Sequence, residues 1–499
     1  MTSYISTRGN YPPVSASAAI KVGMVPAGGL FVPDEIPVFT NSRIFALTEC
    51  DYLSAAREVI APFLDDFTAD ELSDCLKPAY GGSNFHHPLI APLHSLTEKV
   101  HFLELWHGPT AAFKDLALQV MPFLLTRSAA KLSGQKEIII LVATSGDTGK
   151  AALEGFKNVP GTRIIVFYPY RKVSKIQELQ MTTTDGDNTY VVAVKGNFDD
   201  CQSAVKEIFA DQRFNRILAD EGFELSSANS INWGRLVPQI VYYFWAYAGL
   251  LKKKIIAPGE KINFVVPTGN FGNILAGWYA QKMGLPIHKL LCASNKNKVL
   301  TDFFHTGFYD RNRKFWQTRS PSMDILISSN LERFLFEITG HDAEKITHWM
   351  KELAEKGSFR ADKKLLGDSM IAGFADEEET LEAIREVFNL HGYLLDTHTA
   401  VGYKVYQDYC RKSGDKTVTV INATASPYKF AASVLEAVQG KECLQEKDEF
   451  AILRRLEELD KGSLHPGLEN LQHKPILHRT ICEKGEIRGQ IEKILLSGR

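Results

Sequence analysis

The sequence predicts an α/β protein built on parallel sheets, and three observations carry that expectation. Short, continuously apolar runs recur from about residue 96 onward, at 137–143 (EIIILVA), 162–168 (TRIIVFY), 189–194 (TYVVAV), 261–266 (KINFVV), 289–293 (KLLCA) and 417–422 (TVTVIN). Runs without polar alternation are strands buried on both faces, as in a parallel sheet covered by helices. Longer stretches with helical spacing separate them, such as 149–156, 272–282 and the amphipathic 377–390 (EEETLEAIREVFNL), which ends before Gly392. Two Gly-rich turns, 144–150 (TSGDTGK) and 267–273 (PTGNFGN), stand where a strand hands over to a helix.

In chain order, residues 1–95 are punctuated by Pro and Gly (YPPVS, PAGGLFVPDEIP, KPAYGGSNFHHP), with one helix near 51–64, and read as an N-terminal domain. Residues 96–440 hold the strand-helix alternation and form the α/β core. Residues 441–499 are charge-rich, with helical spacing at 450–462 and 485–498, and read as a helical extension. A chain of 499 residues is too long for one simple core.

The net charge of −2 argues against a nucleic-acid or membrane-surface partner, since neither gains from a nearly neutral protein. Small anions need only a local positive site. The seven cysteines are odd in number and dispersed, with no CxxC or zinc spacing, as reduced thiols of a cytoplasmic protein are. The first residues, MTSYISTRGNYPPVSAS, lack the apolar core of a secretory signal, and no run of about 18 apolar residues is present to span a bilayer. His86, His87, His94, His101 and His107 crowd together without HExxH or another ligand spacing, so no metal is expected.

Five segments could carry chemistry. PTGNFGN follows a strand and opens a helix, where backbone N–H groups and the macrodipole favour an anion; a tight turn without a ligand explains it as well. It is not the dinucleotide fingerprint, because GxGxxG is absent. TSGDTGK resembles a P-loop only superficially, since Lys150 is followed by Ala151 and the leading glycine is replaced by Thr144. In WHGPTAAFKDLALQ, Lys114 stands at the start of an apolar helix. Partial desolvation there would give the neutral amine that a Schiff base requires, although a lone lysine in such a place is usually a snorkelling surface residue. NSINWGR (229–235) combines amide, hydroxyl and guanidinium groups able to hold a phosphate. NATASPYK (422–429) leaves a strand with Thr424 and Ser426, either of which could meet a ring nitrogen.

Together these pieces resemble threonine synthase, a fold-type II pyridoxal-phosphate enzyme of tryptophan synthase β-like architecture, in the longer branch of the family that carries an N-terminal extension. The similarity runs through STRG, PAGGLFVP, HGPTAAFKD, TSGDTG, KIQELQMTT, NSINWGR, PTGNFGN, SPSMDI, SSNLER, DTHTAVG and TASPYKF in order. It implies two parallel-sheet subdomains beside the N-terminal domain. Lys114 would carry pyridoxal 5'-phosphate as a Schiff base and then act as the base at Cα. Gly269, Asn270, Phe271, Gly272 and Asn273 would cradle the cofactor phosphate, and Thr424 would face the pyridine nitrogen. Asp147 stands where related enzymes often place an asparagine beside the phenolic oxygen. Ser145 and Thr148 would hold the substrate carboxylate, and Ser230, Asn232 and Arg235 the substrate's own phosphate. The implied reaction converts O-phospho-L-homoserine and water into L-threonine and phosphate by γ-elimination and β-hydration. A phospholyase yielding 2-oxobutyrate, ammonia and phosphate is the nearest enzyme alternative, and a catalytically dead binding homologue is another.

Overall fold

The computed structural model describes residues 2–132, 136–144, 146–368, 370–444, 448–460 and 464–496. Two sheets organise them. The first has six strands in the order Met370–Phe374, Ile287–Ser294, Ile262–Pro267, Thr419–Ala423, Val100–Glu104 and Leu93–Ser95. Its neighbours are parallel except the last pair. The second has five parallel strands in the order Thr480–Glu483, Thr189–Lys195, Thr162–Pro169, Glu137–Ala143 and Phe223–Ser226. Each of the six apolar runs read from the sequence lies in one of these sheets.

Burial explains why those runs lack alternation. Ile138, Ile140 and Val142 point into the main core, whereas Ile139 and Leu141 point to the opposite face, which the helices Phe198–Ala210, Gln212–Asp220 and Ile487–Leu496 cover. In the larger sheet Phe264 and Val266 face the main core while Val265 meets the outer layer of Glu377–His391, Thr397–Ser413 and Ala431–Gln439. Side chains on both faces must therefore be apolar. The helix Trp233–Lys252 runs through the main core with nearly all of its residues buried, which is why its sequence is apolar all round. Among the described residues no helix is long and apolar enough to cross a membrane.

The first 95 residues hold more helix than their sequence predicts. Besides Tyr52–Ile60, which matches the expected helix, they form Ala16–Val22, Asn41–Ala46 and Ala69–Tyr80. The last is opened by a Thr68–Glu71 capping box and contains Pro78, which disguises it. Two arginines, Arg8 half-buried and Arg333 fully buried, anchor this region to the core. Arg8 reaches both oxygens of Glu332, at 2.9 and 2.8 Å. The guanidinium of Arg333 donates to Phe31 O, Asn330 Oδ1 and Ile231 O.

The tail departs from the purely helical extension that the sequence predicts. It contains helices Glu449–Asp460 and Ile487–Leu496, but Thr480–Glu483 adds a strand to the edge of the five-stranded sheet. Only Cys482 of that strand is buried, so no apolar run announces it.

Candidate active site

Lys114 caps the start of the short helix Asp115–Leu118 and is 8 % exposed, so the snorkelling arrangement does not apply. Its backbone is stapled to the turn that leaves the strand Thr419–Ala423. Phe113 N–H donates to Thr424 O at 2.8 Å, Ser426 N–H donates to Ala111 O at 3.0 Å, and Lys429 Nζ donates to Thr110 O at 2.8 Å. Asp115 closes the loop from the other side by accepting from Thr110 N and Thr110 Oγ1. HGPTAAFKD and TASPYKF are thus one structural unit although about 310 residues of sequence separate them.

Asp147, at the first position of the helix Asp147–Phe156, is the hub of the site. One of its oxygens lies 3.4 Å from Lys114 Nζ and accepts from Ser322 Oγ at 3.2 Å; the other takes Lys429 Nζ at 2.9 Å and Gln177 Nε2 at 3.1 Å. Ser322 Oγ is also 3.2 Å from Lys114 Nζ. Ser322 N–H donates to His398 Nε2, and the other ring nitrogen of His398 is held by Asp396. Burial pushes the Lys114 amine down from the ordinary lysine range, against the pull of Asp147. The cations around Asp147 overcome its burial and hold its carboxyl well below the usual carboxylate range.

PTGNFGN lies beside this cluster. Phe271 adopts a left-handed conformation (φ 65°) that a phenylalanine rarely takes, which turns the chain into the helix Gly272–Lys282. No side chain caps that helix, so its first N–H groups are open to an anion. The segment 328–330 wraps the turn: Ser328 Oγ donates to Gly269 O, and Asn330 donates to Asn270 O. A Cβ at Gly269 would sit 2.5 Å from Ser322 O, so only glycine permits the close approach of these loops. The Asn273 carboxamide is buried, its Oδ1 accepting from Tyr242, Tyr243 and Asn422 while its Nδ2 has no partner.

Arg235 stands in the first turn of the helix Trp233–Lys252, buried, with Ala228 O as an acceptor and no carboxylate among the described residues. Desolvation lowers its pKa to about 10, and its charge contributes to the depression at Lys114. Asn232 is hydrogen-bonded within the protein. Its Nδ2 donates to Ile20 O and its Oδ1 caps Gly234 N, so both ends are used within the protein. Ser230 is half-buried, its hydroxyl donating to Asn229, and its carbonyl accepts from Asn330. Thr148 is half-buried beside Asp147; Ser145 lies outside the described residues. Thr424 is buried and its hydroxyl makes no hydrogen bond among the described residues; that of Ser426 is buried without a partner. Lys150, the source of the P-loop look, turns aside to pair with Glu154 and Thr184.

Family models match the chain along its length: "Threonine synthase N terminus" over residues 3–80, "Pyridoxal-phosphate dependent enzyme" over 86–424, and "Threonine synthase, C-terminal" over 399–464. The threonine synthase of Pseudomonas aeruginosa is 39% identical over 445 residues, which cover 88% of this chain and 91% of that one. The chain belongs to the threonine synthase family. The human relative named Threonine synthase-like 1 is 42% identical over 461 residues, 88% of this chain but 61% of its own length. Solved threonine synthases superpose over nearly the whole chain: that of Brucella melitensis, with PLP bound, at TM-score 0.87 and 37% identity (99% of both chains), and that of yeast at 0.88 and 35% (100% and 99%). The architecture is that of fold-type II, and the cofactor of the family is pyridoxal phosphate.

The threonine synthase cofactor fits the residues present. An uncapped helix N-terminus suits its phosphate, the lone hydroxyls of Thr424 and Ser426 stand beside the Lys114 loop, and the free Asn273 Nδ2 is a further buried donor. Sequence reasoning missed Lys429, Gln177, Ser322, Asp396 and His398. All five lie inside the quoted motifs, but nothing in their spacing shows that they meet around Asp147. Among the described residues no group of three or more His, Cys, Asp and Glu could hold a metal. His86, His107 and Glu104 instead form a hydrogen-bonded chain, with 2.8 Å at each link.

Proposed function

We propose that the chain is a threonine synthase that converts O-phospho-L-homoserine and water into L-threonine and phosphate, with pyridoxal phosphate carried as a Schiff base on Lys114. The observation that supports this most is a pair of anion receptacles near one buried lysine: the uncapped turn at 269–273, which meets Ser322 beside Lys114, and Arg235, which acts on Lys114 as a cation and has no carboxylate partner among the described residues. One receptacle serves a phosphorylated cofactor, and the second is needed only if the substrate carries a phosphate of its own.

When bound, the cofactor supplies an electron sink for charge developing next to its Schiff-base nitrogen. The remaining work falls to the protein. Lys114 Nζ, whose proton affinity burial lowers, removes the proton at Cα and later returns one. Backbone N–H groups at Gly272 and Asn273, with Gly269, Asn270 and Phe271 shaping the turn, would hold the cofactor phosphate. Thr424 Oγ1 would face the ring nitrogen, and Asp147 fixes Lys114 and Ser322. Arg235 and Ser230 hold the substrate phosphate and receive it when it leaves Cγ. Thr148 and Ser145 hold the substrate carboxylate. Asn232 contributes by shaping the loop that presents Ser230 and Arg235. We place the work in the cytoplasm, where the cysteines, none of them disulfide-bonded among the described residues, stay reduced. The division into an N-terminal domain (1–95), a cofactor-binding core (96–440) and a C-terminal extension (441–499) is part of the same reading.

The test is to incubate the purified protein with O-phosphohomoserine and measure threonine, 2-oxobutyrate and phosphate together. Threonine and phosphate in equal amounts are expected. Phosphate with 2-oxobutyrate and ammonia, and without threonine, overturns the synthase reading.

A further inference from the structure

Lys114 and Lys429 share a single carboxylate, and they share it unequally. Lys429 Nζ, whose side chain has no exposed surface, is 2.9 Å from Asp147 Oδ1 and 2.8 Å from Thr110 O. Lys114 Nζ reaches the other oxygen of Asp147 only at 3.4 Å, with a serine hydroxyl as its second neighbour. Short contacts to a carboxylate and a carbonyl suit an ammonium; longer contacts, one of them to a neutral hydroxyl, suit an amine. One buried carboxylate can offset one buried ammonium, and a second positive charge in the same dry space is heavily penalised.

We propose that Lys429 is a positioning residue for Lys114: by occupying Asp147 it denies Lys114 a carboxylate of its own and so keeps the Lys114 amine in the free-base form that attacks carbonyl carbon. This rests on the reading of Lys114 as the cofactor lysine and names what sets its protonation. The other charged groups agree in sign. Arg235 acts on Lys114 as a further cation, and His398 faces Asp147 but is itself paired with Asp396. Asp115 is spent on Thr110 and gives Lys114 no second carboxylate.

The test uses the full chain stripped of cofactor, pulsed with acetic anhydride from pH 6 to 10, with acetylation of Lys114 read by mass spectrometry of its peptide. In Lys429→Met the carboxylate turns to Lys114, the midpoint of its acetylation profile rises by about one pH unit, and labelling below that midpoint falls by up to about tenfold. In Lys429→Met/Asp147→Asn the carboxylate is gone as well, and labelling returns to the parent rate or above it. A merely structural Lys429 gives a loss that the second substitution does not reverse, and that result, or no loss at all, overturns the proposal. If Lys429→Met does not fold, as judged by circular dichroism, Asp147→Asn alone decides. Its Lys114 midpoint moves down, and a midpoint that stays or rises refutes the mechanism. Borohydride reduction of the holoenzyme identifies the cofactor lysine separately; trapping at another lysine removes the proposed function without touching the labelling result.

Discussion

Arg235→Met is expected to make the protein more stable and a far worse enzyme. Burial lowers the Arg235 pKa from 12.5 to about 10, which corresponds to a penalty of roughly 3 kcal/mol on the charged form. The sign follows from linkage: the unfolded chain holds this proton more tightly than the fold does, so the charge opposes folding at every pH below about 10. Methionine removes that penalty but gives up the hydrogen bond to Ala228 O, worth about 1 kcal/mol, leaving a net gain of about 2 kcal/mol. At roughly 2.1 cal/mol/K per residue over 499 residues, the unfolding entropy is about 1 kcal/mol/K, so the gain raises Tm by about 2 °C. Loss of the charge-assisted contacts to the substrate phosphate costs about 2–4 kcal/mol, or roughly 30- to 1000-fold in kcat/KM. Calorimetry of the holoenzyme with and without inorganic phosphate, beside steady-state kinetics, reads both effects. Phosphate at 100 times its Kd stabilises the parent by about 2.7 kcal/mol and leaves the variant unchanged. A variant that melts lower than the parent, with kcat/KM within threefold, shows that Arg235 is a structural arginine and refutes the receptacle argument.

Lys114→Ala abolishes turnover together with the absorbance near about 410–420 nm that a lysine-bound cofactor gives and borohydride bleaches; a variant that remains active and yellow removes Lys114 from the chemistry. Asn232→Ala loses a helix cap and the bond to Ile20 O, and a thermal melt should show about 1–2 kcal/mol of lost stability with KM changed no more than about threefold. A KM rise of the size expected for Arg235 would restore Asn232 to the phosphate site. His465, buried with a pKa lowered to about 3 from 6.5, is neutral in the fold and charged in the acid-unfolded chain. Its contribution is complete above pH 6.5 and shrinks as the pH falls toward 3, by about 2 kcal/mol at pH 5. His465→Gln therefore flattens the fall in Tm between pH 7 and 5 by about 2 °C, and parallel pH curves for parent and variant contradict the burial argument.

The sheets were legible in the sequence because strands buried on both faces leave unbroken apolar runs, as at 137–143, and the two Gly-rich turns marked where strands pass into helices. The strands Val100–Glu104 and Phe223–Ser226 were not, since VHFLE and FELS mix polar and apolar residues over four or five positions. In the site, Lys114 and the 267–273 turn were visible as local patterns. The Asp147 cluster was not, because its members come from segments between 30 and more than 170 residues away in the chain, and a lysine such as Lys429 is indistinguishable in sequence from a solvated one. Asn232 is ambiguous for a different reason. An asparagine before Trp-Gly-Arg suits a phosphate and a helix cap equally, and only the hydrogen bonds to Ile20 and Gly234 separate the two roles.

The strand Thr480–Glu483 closes an edge made much earlier in the chain, with Glu483 paired to Lys195 across 288 positions. A ribosome adding about 5–20 residues per second takes on the order of 15–60 s to make the intervening segment. During that interval the strand Thr189–Lys195 presents its row of unpaired backbone groups to any other extended chain nearby. The last strand thus decides when the nascent protein ceases to be vulnerable to edge-to-edge association, and translation speed becomes a determinant of its yield.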